Sequence, residues 1–127
     1  MRIKLAIVAL IACLTCAVNS AVAEEPAPSG LMTDIEFAKV GDVSLALDAF
    51  IPEGAWPFPT CILVHGGGFM RGDKQSYIKP LFEPLSKAGF TWFTINYRLA
   101  PQHRWPACAD DVETAKHGSF FPARRFR

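Results

Sequence analysis

The chain has no hydrophobic run long enough to span a membrane. Its most apolar stretch runs from Leu5 to Val18, and a membrane-spanning helix needs about 20 such residues. Arg2 and Lys4 precede the stretch, and small residues follow it at positions 21 and 23. This pattern predicts a signal peptide over residues 1–23, with cleavage after Ala23 and a secreted or periplasmic protein. A permanent anchor and a lipoprotein box ending at Cys13 are the less favoured alternatives.

Beyond residue 23 the sequence lacks the spacing of metal ligands. Only Cys61 and Cys108 remain there, and His65, His103 and His117 are scattered singly. Metal-binding domains need paired cysteines or histidines at short spacing, so we predict no metal site and no cofactor. An exported protein can join two cysteines in a disulfide. Two separate buried thiols are favoured here, but the pairing stays open.

No excess of charge points to a nucleic-acid partner. Thirteen basic residues face twelve acidic ones, and the only cationic cluster is the three arginines at positions 124, 125 and 127. A nucleic-acid-binding face needs a broader basic patch. We therefore expect no nucleic-acid partner.

The sequence after the signal peptide begins with a leader and a hairpin. Residues 24–33 are predicted to be a flexible leader, because the first seven are rich in Pro, Ala, Ser and Gly. Two strands are predicted at Thr33–Ala38 and Val43–Ile51, with Gly41-Asp42 as the turn between them.

The next segments alternate between strands and helices. Cys61–His65 is a short apolar run that predicts a strand buried on both faces. A helix over Tyr77–Ala88, made irregular by Pro80 and Pro84 and capped by Gly89, precedes a strand over Phe90–Tyr97. A second helix is predicted from Pro106 through Ala115. This order predicts an α/β fold with parallel strands.

Three consecutive glycines follow the buried strand, in the segment His65-Gly66-Gly67-Gly68-Phe69. Three glycines cost more conformational entropy than a simple turn needs. They suit a place where bare backbone must approach another group and aim its N–H donors at it, as in the oxyanion hole of an acyl-transfer enzyme. A glycine-rich loop that binds phosphate is the alternative.

Further motifs follow in order: Gly72-Asp73, Asn96-Tyr97-Arg98-Leu99-Ala100-Pro101, Trp105-Pro106-Ala107 and Asp110-Asp111. Together with the glycines they resemble the N-terminal part of the α/β-hydrolase superfamily, in its hormone-sensitive-lipase-like and acetyl-xylan or feruloyl esterase-like branches. The resemblance covers residues 34–115. It implies an antiparallel leading hairpin followed by parallel strands with helices, as an incomplete domain.

The resemblance assigns roles to residues of this segment. Gly67 and Gly68 match the glycines whose N–H groups face the oxyanion, and Gly66 is expected to permit a tight chain path. His65 matches a residue that supports the loop rather than the catalytic base. Phe69 either lines the acyl or alcohol pocket or plugs the core.

A second group of residues is assigned a structural role. Arg98 and the pair Asp110-Asp111 resemble an ion pair that holds the loop after the fourth strand against the second helix. A solvated pair on the helix surface is the alternative.

The catalytic triad of that superfamily is missing from this chain. No Gly-x-Ser-x-Gly segment occurs, and Ser119 lacks the flanking glycines. We therefore assign no catalytic residue. From Lys116 onward there are four basic residues and no acidic one, so residues 116–127 are interpreted as an atypical basic tail of a truncated or frame-shifted coding sequence.

The resemblance implies a secreted carboxylic-ester hydrolase of the lipase or esterase type, although this chain alone is expected to be inactive. The complete enzyme would act on small esters or acylated polysaccharide. Two alternatives remain: a non-catalytic secreted remnant or binding domain, and a peptidase or amidase of the same superfamily.

Overall fold

A computed structural model describes residues 29–55 and 57–118. Its elements in chain order are β1 (Gly30–Val40), β2 (Val43–Ile51), β3 (Thr60–Val64), a 3₁₀ turn (Lys79–Leu81), α1 (Phe82–Lys87), β4 (Thr91–Ile95) and α2 (Ala107–His117). The predicted signal peptide lies outside the described residues, as do residues 24–28 of the leader and 119–127 of the tail. Residues 30–33 belong to β1, and Lys116 and His117 to α2. No helix within the described ranges is long and apolar enough to cross a membrane.

The four strands form one mixed sheet in the order β1-β2-β4-β3. β1 pairs with β2 and β2 with β4 in antiparallel fashion, whereas β3 and β4 are parallel. The connection from β3 to β4 carries α1, as a parallel pair requires. The predicted fold class, a leading hairpin followed by parallel strands with helices, is confirmed.

The leading hairpin depends on a two-residue turn. Val40 pairs with Val43, and Gly41 between them has φ +59°, a conformation that favours glycine. The observed bounds of β2, Val43–Ile51, are those predicted. β1 is longer than predicted and contains two irregularities, one of them around Asp34, which has φ +56°.

Helices cover both faces of the two central strands, β2 and β4. On one face, the buried core comprises Leu47, Ala49, Phe93, Ile95 and Ala115, the last of these from α2. On the other face, the Trp92 ring stacks on Phe50 and on Phe82 of α1, with ring centroids 5.9 and 4.4 Å away. The Trp92 indole N–H also donates to Ser86 Oγ at 2.9 Å. Because both faces are covered, polar residues on either face of β2 and β4 need partners inside the protein.

The structure corrects the prediction that the third strand is buried on both faces. β3 is the last strand of the sheet and its residues are exposed or half-buried, with Val64 42% exposed. β4 is its single strand neighbour among the described residues, whereas all five residues of β4 are buried. An apolar run therefore indicated a strand correctly but not its place in the sheet.

The irregular first helix is confirmed. It consists of the 3₁₀ turn followed by α1, with Pro80 and Pro84 in their first turns, where a missing N–H costs no helical hydrogen bond. Gly89 has φ +76° and its N–H donates to the carbonyl of Ser86, so it ends the helix as predicted.

Candidate functional site

The glycine loop, residues 65–73, begins directly after β3. It therefore starts at the carboxyl end of the parallel β3–β4 pair, the edge where open α/β sheets place their ligands. The chain leaving the end of β4, residues 96–106, contacts this loop, since the N–H of Ala100 donates to the carbonyl of Phe69 at 2.9 Å.

Two residues of this loop leave no room for a side chain. A Cβ on Gly67 would lie 2.0 Å from the carbonyl oxygen of Arg71, and one on Gly72 would lie 2.7 Å from Nδ1 of His65. Both have positive φ, +117° and +103°. The tight chain path expected at Gly66 is thus found at Gly67 and Gly72, because a Cβ on Gly66 would meet only the Tyr77 ring at 3.8 Å.

Gly68 differs from Gly67 in the reason for which glycine is required. It has φ +65°, and no atom lies within 4 Å of the place its Cβ would take. Its backbone conformation, rather than a close neighbour, therefore favours glycine.

The N–H groups of Gly67 and Gly68 are unpaired within the described part of the chain. The internal bond of this turn runs from the N–H of Met70 to the carbonyl of Gly67, at 3.3 Å. No acceptor among the described residues meets the two glycine N–H groups. Adjacent unpaired donors on a constrained backbone are able to bind an anionic oxygen.

His65 is a buried residue that supports the glycine loop. It is 4% exposed, and its ring stacks on Tyr97 with centroids 4.2 Å apart. Nδ1 lies 2.7 Å from the carbonyl oxygen of Gly66; because that oxygen only accepts, Nδ1 is the donor in this bond. Nε2 is buried without a partner, and the Tyr97 hydroxyl donates to the His65 carbonyl at 2.8 Å.

The structure excludes one of the two roles considered for Phe69. Its side chain is 56% exposed, so it does not plug the core. Its ring lies 6.3 Å from that of Tyr97, and its φ of +62° is unusual for a residue other than glycine. The aromatic ring therefore stands at the surface of the glycine loop.

Arg98 and Asp111 form a buried ion pair between the loop after β4 and α2. Nε of Arg98 lies 3.0 and 2.9 Å from the two carboxylate oxygens, and Nη2 lies 2.8 Å from Oδ1. The backbone N–H of Arg98 also donates to Oδ2 at 2.8 Å. The hydrogen bond to Asp111 raises the pKa of Arg98. Asp110, the other member of the predicted group, is exposed.

An ion pair that was not predicted from the sequence lies just after the glycine loop. Nζ of Lys74 is 2.7 Å from Oδ1 of Asp48 on β2 and 2.8 Å from Oδ1 of Asp34 on β1. Asp48 is 2% exposed. Burial opposes the charge of Lys74, but the hydrogen bonds to Asp34 and Asp48 outweigh it and raise the pKa of this lysine.

An open depression of about 360 Å³ adjoins the loop. It is lined by the start of β2, by Gly72 and Asp73, and by residues that follow β4, among them Asn96, Gln102 and His103. Asp73 at its rim accepts hydrogen bonds from the Gln75 N–H and the Ser76 hydroxyl, which lower its pKa.

No nucleophile accompanies these donors in the described ranges. The hydroxyls of Ser44, Ser76 and Ser86 donate to Glu36, to Asp73 and to the carbonyl of Phe82. No hydrogen bond joins a serine hydroxyl to a histidine there. Ser119 lies outside the described residues. Cys61 and Cys108 are free thiols, and burial raises the pKa of Cys61.

Comparison with known proteins identifies the family. The BD-FAE family model matches residues 47–117, a span that runs from β2 through the glycine loop to the end of α2. The chain belongs to the BD-FAE family.

Individual relatives agree with this assignment. The chain is 37% identical over 59 residues to Esterase LipC of Mycobacterium tuberculosis, covering 46% of this chain and 15% of that protein. It is 42% identical over 65 residues to Gibberellin receptor GID1 of Oryza sativa subsp. japonica, covering 48% and 18%. The chain thus spans less than a fifth of either of these curated relatives.

Solved structures of esterases share the fold. An esterase of Pyrobaculum calidifontis superposes with a TM-score of 0.59 at 26% identity, over 71% of this chain and 29% of that one. Bacterial Heroin Esterase gives 0.53 at 28%, over 67% and 26%. The resemblance to the hormone-sensitive-lipase-like esterases of the α/β-hydrolase superfamily is confirmed for the part of that fold which this chain covers.

Proposed function

We propose that this chain is the oxyanion-binding part of an exported carboxylic-ester hydrolase. The observation that carries the proposal is the pair Gly67 and Gly68, two neighbouring N–H donors without a partner at the carboxyl end of the parallel strands. A donor that is already held in place stabilises the charge on a tetrahedral intermediate without a reorganisation cost during the reaction. The family assignment makes ester hydrolysis the fitting chemistry.

In the proposed reaction a serine attacks the ester carbonyl, and the carbonyl oxygen becomes an oxyanion held by the two glycine N–H groups. The serine and its histidine base would come from sequence other than residues 1–127. His65 is not proposed as that base, because it is buried, its ring is stacked on Tyr97, and its Nε2 meets no serine hydroxyl among the described residues. It keeps the start of the loop in place.

Export and a disrupted coding sequence are further parts of the proposal. The N-terminal pattern of two cations, an apolar stretch and small residues at positions 21 and 23 supports export. The composition supports the disruption, since the twelve acidic residues all precede Lys116, whereas four of the last twelve residues are basic. Small esters or acyl groups on polysaccharide are the proposed substrates.

A non-catalytic role is the second candidate. It is favoured by the absence of a nucleophile from the described residues and by the likeness to a protein whose name denotes a receptor. In that case the glycine loop would bind an anionic or carbonyl group without turning it over. A peptidase or amidase would use the same donors and differs from an esterase only in the substrate it accepts.

The first test asks for the missing nucleophile. DNA downstream of the codon for Arg127 is sequenced, and we expect a Gly-x-Ser-x-Gly segment in one of its frames. The 127-residue chain is also exposed to a fluorophosphonate probe, and we expect no adduct. An adduct on this chain would contradict the proposal that its nucleophile lies elsewhere.

The second test uses the restored reading frame. Gly68→Pro removes one donor and also imposes a negative φ on a residue that has φ +65°, and we expect ester turnover to fall at least about 10²–10³-fold. Gly41→Pro is the matched control, because Gly41 has a similar φ and is equally free of close neighbours but lies in the β1–β2 turn. Equal losses in both variants would refute the oxyanion role. Binding of an ester without turnover by the restored protein would favour the non-catalytic candidate.

A further inference from the structure

Lys74 directly follows the glycine loop and attaches its end to the sheet. The backbone N–H of Lys74 donates to Oδ1 of Asn96 at 2.8 Å, and the hydroxyl of Thr94 donates to the carbonyl of Lys74. The side chain of Lys74 forms the ion pairs with Asp48 and Asp34 described above. The backbone and the side chain of Lys74 thus bind β1, β2 and the end of β4.

The partners of Lys74 form one polar patch in an otherwise covered face of the sheet. Asp48 and Thr94 are register partners on β2 and β4, and Asn96 lies two residues beyond Thr94, so the three project from the same face. Asp48 and Thr94 are buried, at 2% and 0% exposure. A buried carboxylate needs an opposite charge and buried polar groups need hydrogen bonds.

Lys74 supplies the charge and also bonds the hydroxyl and the amide of this patch. Gln75 adds a bond to Oδ2 of Asp48 at 3.3 Å. Displacing residue 74 would leave the buried Asp48 carboxylate without its buried counter-charge. It would also remove the bonds that this residue forms with the buried Thr94 hydroxyl and the half-buried Asn96 amide. This gives the residue one strongly preferred position.

Fixing residue 74 also restrains the donors, because only a short length of chain separates them. Gly72, two residues earlier, packs against the ring of His65 and the carbonyl of Gly66, since a Cβ there would lie 2.7 and 3.0 Å from them. The other attachments of the loop are the Tyr97 hydroxyl at His65 and the Ala100 N–H at Phe69. Gly67 and Gly68 lie between these fixed points.

We propose that Lys74 is a positioning residue for the oxyanion donors. It touches no substrate; it acts through the glycine loop by fixing the end of that loop to the buried patch of Asp48, Thr94 and Asn96. This inference rests on the proposed function of Gly67 and Gly68. The proposal predicts how ordered the loop backbone is, and this is measured without substrate. A failure of this prediction is therefore distinguishable from a failure of the ester assay.

The test compares Lys74→Met with the wild-type 127-residue chain by ¹⁵N relaxation. In the wild type we expect backbone order parameters of about 0.85 at Gly67 and Gly68, and in the variant values below about 0.6. The amides of Thr94 and Ile95 should keep their order, because a positioning role concerns the loop. A residue that merely stabilises the fold would not lower the order of the loop while that of β4 stays the same.

The matched control is Lys87→Met, which makes the same change at an exposed i,i+4 pair with Glu83. We expect it to leave all four amides unchanged. Should Lys74→Met fail to fold, Asn96→Ala removes only the acceptor of the Lys74 N–H and is judged by the same criterion. Unchanged order at Gly67 and Gly68 in a folded variant, or an equal loss in β4, would overturn the proposal.

Discussion

The buried ion pair between Arg98 and Asp111 makes the sharpest prediction about stability. In Asp111→Asn one carboxylate oxygen is replaced by an NH₂ group, which faces the guanidinium donors instead of accepting from them. Asp111 is fully buried and the Arg98 side chain is 15% exposed, so the remaining positive charge stays largely out of water. Breaking a buried pair in this way costs about 3–5 kcal/mol.

The neighbouring residue provides the control. Asp110 has the same chemistry but is exposed, and removing an exposed charge usually changes the free energy of unfolding by less than about 0.5 kcal/mol. Asp111→Asn and Asp110→Asn therefore differ in burial and partner rather than in the group changed. Asp110→Asn therefore measures how much an ordinary surface substitution changes the free energy of unfolding.

Urea denaturation followed by tryptophan fluorescence measures the difference. With a slope of about 1.5 kcal/mol per M for a domain of this size, Asp111→Asn should lower the midpoint by about 2–3 M. Asp110→Asn should shift it by less than about 0.4 M. Arg98→Lys, which keeps the charge but loses the two-pronged contact, should fall between them. Equal midpoints for the two Asp variants would refute the argument that burial makes this pair important.

Two more predictions concern the glycine loop. Gly41→Ala should lower Tm by about 4–8 °C, the effect of about 1 kcal/mol in a domain of this size. Gly67→Ala should lower Tm by at least twice as much, because its Cβ would lie 2.0 Å from a carbonyl oxygen. Equal shifts of Tm in calorimetry would contradict the clash at Gly67. The lowered pKa of Asp73 implies a contribution to stability that is complete above its unfolded pKa of about 3.9 and is lost as the pH falls through the lower folded value. Asp73→Asn should therefore lose less stability than the wild type between pH 5 and pH 3, as urea midpoints at the two pH values would show; identical losses would contradict this.

Local patterns predicted most of the fold. The turn at Gly41-Asp42 between two strand-like segments predicted the hairpin, and the alternating order of strands and helices predicted the parallel pair. The place of β3 at the end of the sheet formed by the described residues was not predictable, because an apolar strand has the same composition whether or not a neighbour covers its second edge. Strand order is decided by long-range pairing, which composition does not record.

Only part of the candidate site was predicted, because contacts between distant residues cannot be read from local patterns. The glycine loop is a contiguous motif, so its residues could be named from the sequence. Asp48 lies on the face of β2 that α1 and the chain after the glycine loop cover, and it was not singled out from the sequence. Its partner Lys74 lies far along the chain, and no spacing rule connects the two.

The ion pair between Lys74 and Asp48 has a consequence for how this sequence can change over generations. Losing Lys74 alone leaves the Asp48 carboxylate buried without a counter-charge, and losing Asp48 alone leaves Lys74 with only the exposed Asp34. Replacing both Lys74 and Asp48 with apolar residues of similar volume is often neutral or even stabilising. The two positions are therefore expected to covary among relatives, as a charged pair or as an apolar pair. A homologue with only one of the two charges should carry a compensating charge or an altered loop nearby.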